Sequence, residues 1–209
     1  MGITGITGCI SSEYQTQASS KNSISFPENF NVGELNKIYH LHDSDNLSKD
    51  HRGIILKCNI ADNDYKKNLG RTKKDILSDF LPFDENSTKK KQREAIRDES
   101  EIIFIEVSAA CDFSQKNKRI SKYILGLKYP NVKEEDLRRR SDAIFELPIF
   151  HDSNKDFRIA VNFRYMFGFI SDDEKLGDRI YCLGNNIVNQ IGNRYANYIS
   201  RIGIISFNE

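Results

Sequence analysis

Within residues 101–115 an apolar, β-branched run, Ile102-Ile103-Phe104-Ile105-Glu106-Val107, leads directly into Ser108-Ala109-Ala110-Cys111-Asp112-Phe113-Ser114-Gln115. A run this short and this rich in β-branched side chains favours a buried strand over a helix. The small polar residues after it predict a tight exit, the kind of place where a rigid element presents side chains. Related runs recur along the chain. Ile54-Ile55-Leu56-Lys57-Cys58-Asn59-Ile60 follows an Arg52-Gly53 turn and stops at Asp62-Asn63-Asp64, and further strands are predicted at 122–127, 143–147 and 157–163, with 166–170 beyond. These spacings suit antiparallel pairs and argue against parallel βαβ order.

Helical signals fall between and after the strands. Thr72 is placed to cap a helix carrying Ile76, Leu77 and Phe80, which Pro82 stops, and 89–97 reads as a second, polar helix. Together they read as a lid-like helical insertion near 66–100. Another helical excursion is expected near 133–141. At the carboxyl end, Ile180, Leu183, Ile187, Ile191, Tyr195 and Ile199 recur three or four apart, predicting one long amphipathic helix with Asp172 and Asp173 at its start and Gly203 at its stop. Residues 1–25 are too polar to bury much apolar area and read as a mobile arm. The predicted fold class is α+β: a single domain over 26–209, built as a curled antiparallel sheet or small β-barrel of five to seven strands, closed by the terminal helix.

With 209 residues, 38% of them hydrophobic, the chain can bury an ordinary core. Its 31 basic and 30 acidic residues leave a net charge of +1, so any attraction to nucleic acid must be local. Cys9, Cys58, Cys111 and Cys182 form no CxxC pair, and no stretch reaches the roughly 20 apolar residues of a membrane span, which together predict free thiols, a cytoplasmic setting and no membrane partner. No cofactor-binding motif is present in the sequence, and no cofactor is expected.

Ser108, Cys111, Asp112 and Gln115 are the leading candidate binding residues. Cys111 is a nucleophile or ligand only if a cation or histidine lowers its pKa, whereas Ser108, Asp112 and Gln115 can bind a partner or lock the strand exit through backbone hydrogen bonds. Arg164 lies in apolar company and is expected to pair with Asp112. His151, before a turn at Asp152-Ser153-Asn154-Lys155, is a possible general base. His40 and His42 would share one face if they lay on a strand, with Asp43, Asp45, His51 or His151 as a third ligand, but no interval is diagnostic and no metal is assigned. Basic runs provide the remaining signal: Lys89, Lys90, Lys91, Arg93 and Arg97; Lys116, Lys118, Arg119 and Lys122; and Arg138, Arg139 and Arg140. The second run, with Tyr123, Tyr129 and Tyr165 available for base stacking, is the candidate nucleic-acid contact.

From Val107 to Gln115 the chain resembles a set of bacterial proteins whose strand ends in Cys-Asp, an apolar residue, a spacer and Gln. Tyr195-Ala196-Asn197-Tyr198-Ile199-Ser200-Arg201-Ile202-Gly203-Ile204 is similar to the terminal helix of the same set. In that set the domain is sometimes joined to signalling modules, and its strand grammar is similar to the small β-barrel of the MazF/PemK toxins. The resemblance implies a fold, while the toxins' RNA-groove residues find no counterpart here. Two functions are therefore expected: a non-enzymatic binding or regulatory module of a bacterial signalling or defence system, contacting protein or nucleic acid, or a nuclease or other hydrolase, metal-dependent or metal-independent, using Asp112 or His151 with Arg164.

Overall fold

The computed structural model describes residues 31–83, 90–114, 120–132, 141–152 and 155–200. Among these residues the chain forms six α-helices and eight strands. In chain order these are α1 (Val32–His40), β1 (Leu41–His42), β2 (Ile54–Cys58), α2 (Tyr65–Leu69), α3 (Lys73–Phe80), α4 (Lys90–Asp98), β3 (Glu101–Glu106), α5 (Ala110–Ser114), β4 (Ser121–Pro130), β5 (Ile144–Glu146), β6 (Phe150–Asp152), β7 (Lys155–Phe169), β8 (Leu176–Leu183) and α6 (Asn185–Ile199). The strands make one sheet in the order β1-β8-β2-β3-β4-β7-β5, with β6 also on β7. Every pairing is antiparallel.

Successive strand residues point to opposite faces, and both faces of this sheet are buried. On one face Leu56, Phe104, Leu125, Leu127 and Tyr165 pack with Tyr65 and Leu69 of α2 and Ile76, Leu77 and Phe80 of α3. On the other, Ile55, Ile103, Ile105, Ile124, Ile159 and Val161 pack with Ile187, Val188 and Ile191 of α6. Double coverage explains why β3 is apolar nearly throughout instead of alternating. The sheet curls around the α6 face. Phe157 of β7 stacks on Tyr181 of β8 with ring centroids 6.0 Å apart, although β2, β3 and β4 lie between those strands in the sheet. Asp152 of β6 closes the same gap by accepting a hydrogen bond from the Tyr181 hydroxyl. The result is the expected curled α+β half-barrel with the terminal helix packed against its concave side.

Local chemistry sets several element boundaries. Thr72 caps α3 by a reciprocal arrangement: its hydroxyl oxygen accepts from Asp75 N–H, and the Asp75 carboxylate accepts from Thr72 N–H. α3 supplies Ile76 and Phe80, both fully buried, so it is a core layer and not the lid its sequence suggested. The terminal helix is shorter than its periodicity implied. Ile180 and Leu183 belong to β8, Asp173 sits in the preceding turn, and α6 starts after Gly184, whose extended backbone breaks the helical path. The stripe continued across this break because β8 and α6 bury adjoining parts of one core. The expected strands at 157–163 and 166–170 are one strand, β7, with a register shift opposite Ile124 and Gly126. Helix α1, capped by the Asn31 side chain, was not anticipated. The expected arm at 1–25, the excursion at 133–141 except for Ser141, and Gly203 lie outside the described residues.

Candidate functional site

At one end of the sheet the start of β2, the exit of β3, the start of β4 and the end of β7 lie side by side. Gly53 N–H donates to Glu106 O at 3.0 Å, Val107 N–H donates to Lys122 O at 2.8 Å, and Ser121 is paired with Phe169. Gly53 takes a positive φ of 87°, and a Cβ there would meet Leu183 O at 2.6 Å, so only glycine brings β2 in at this angle.

Ser108 is the lock of this corner. It is 1% exposed, its Oγ accepts the Lys122 N–H at 3.0 Å, and its own N–H donates to Glu106 Oε2 at 3.2 Å. The Arg52 guanidinium ties the same point to α6: Nε donates to Ser108 O at 2.9 Å, and its two terminal nitrogens donate to Asn185 Oδ1 at 2.9 Å and Asn189 Oδ1 at 2.8 Å. Five donors in a planar fork make arginine suited to joining three groups. Cys182 lies beneath, donating to Arg52 O at 3.6 Å, and burial pushes its thiol up to about 11. His51, just before Arg52, is held below its ordinary value, chiefly by burial, with the Asp50 carboxylate opposing.

Beyond this lock the chain turns into α5, where Cys111 is exposed and Asp112 half-buried; the Cys111 thiol lies 3.7 Å from Asp112 Oδ1. Lys122 points to solvent. Next to it two large aliphatic side chains stand exposed: Ile120, one residue before β4, at 69%, and Ile170, one residue after β7, at 53%. Ser121 and Phe169 being partners, these two flank the same ladder rung, and Gly168 gives Ile120 room, since a Cβ there would fall 2.7 Å from Ile120 Cγ2. Gln115, Lys116, Lys118 and Arg119 lie outside the described residues.

The other candidate residues do not join this corner. Arg164 does not pair with Asp112: its terminal nitrogens reach Ser141 Oγ at 2.6 Å and Asp79 Oδ2 at 4.0 Å, and Asp79 also accepts from the Tyr165 hydroxyl at 2.8 Å. Nothing in the sequence linked position 79 to 164, because α3 is brought there by its buried face. His151 sits on β6 with Nδ1 2.7 Å from Asp156 Oδ1, at the far end of β7. From Asp156 to Phe167 that strand extends roughly 35 Å at about 3.3 Å per residue, so Asp112, His151 and Arg164 occupy three separate places. His40 ends α1 whereas His42 is in β1, so the shared strand face envisaged for them does not exist. Among the described residues no group of three or more His, Cys, Asp or Glu is placed to hold a metal, and no helix is long and apolar enough to cross a membrane. Sequence reading passed over Ile120, Ile170 and Arg52. An aliphatic residue flanking each end of a predicted strand pair was the available signal for the first two.

No protein-family model matches the chain, and no curated protein and no solved structure matches it.

Proposed function

We propose that the chain is a non-enzymatic binding module that engages a protein partner through the sheet end at β3, β4 and β7. Ile120 and Ile170 form the apolar centre of the contact, and Cys111, Asp112 and Lys122 its polar surround. The observation that carries this reading is the adjacent exposure of two large aliphatic side chains at the ends of a paired ladder. Exposed apolar surface bordered by polar groups marks protein contacts, and a rigid mount lowers the ordering cost of binding. Ser108 and Arg52 provide that mount, since their hydrogen bonds draw β3, β4 and α6 together. The partner's complementary patch is apolar, with carboxylates facing Lys122.

The test is a variant carrying both Ile120→Asp and Ile170→Asp. Partner capture is lost while the melting temperature and circular dichroism stay as in the wild type. Capture at wild-type strength by the folded double variant removes the proposal, and a partner found to be a second copy of the chain reassigns the surface to self-association.

A further inference from the structure

We draw no further inference here: the strongest candidate, the outward apolar face of α1 on which Val32, Ile38 and Tyr39 stand exposed, carries nothing because nothing in the structure shows what covers it.

Discussion

Ser108→Ala tests whether the β3 exit is a built pedestal or an incidental turn. The substitution removes one oxygen from a side chain that is 1% exposed and leaves the three backbone-directed bonds at Glu106, Arg52 and Val107 in place. What it takes away is the acceptor for the Lys122 N–H at 3.0 Å. A lost neutral hydrogen bond is worth about 1 kcal/mol, and an unsatisfied donor kept from water raises the cost toward 3 kcal/mol, so the expected loss is about 1–3 kcal/mol. For a chain of this size that lowers the melting temperature by roughly 2–4 °C per kcal/mol. Urea unfolding followed by circular dichroism reads the change as a lower midpoint at constant slope. Cys111→Ser, three residues on but exposed, should stay within about 0.5 kcal/mol of the wild type. A Ser108→Ala loss below that margin, or a Cys111→Ser loss equal to it, refutes the idea that Ser108 holds the corner.

Phe80→Ala should cost about 3–5 kcal/mol in urea unfolding, because Phe80 is fully buried beneath the sheet; an effect under 1 kcal/mol would make α3 a lid after all. Thiol labelling followed by peptide mapping at pH 7.5 should modify Cys111 rapidly in the native protein and Cys182 only on unfolding, since Cys182 is buried with its thiol pushed up to about 11. Stability should be fully present above pH 6.5 where His51 is concerned and fall as the pH drops below it, because the folded imidazole resists the proton that the unfolded chain accepts near 6.5; His51→Gln should flatten that part of a melting-temperature profile.

Short β-branched runs bounded by turn residues located β2, β3, β4 and β7, since strand burial leaves a local compositional trace. The Thr72 cap and Pro82 stop framed α3 because both act within one turn of helix. β8 was hidden by its junction with α6, where Ile180 and Leu183 kept a three-to-four spacing with Ile187 although the chain changes conformation at Gly184. Long-range partners were the least legible. Asp79 meets Arg164 and Tyr165 only because Ile76 and Phe80 seat α3 on the sheet, and no local pattern encodes that meeting.

Replacing Ile120 with a photoreactive benzoylphenylalanine and irradiating intact source cells is the most direct test of the binding surface. The account predicts one discrete adduct with a different protein from position 120, none from the same replacement at Lys155 on the opposite end of β7, and loss of the adduct when Ile170→Asp is added. No adduct at position 120, the same adduct from both positions, or an adduct that survives Ile170→Asp would contradict it.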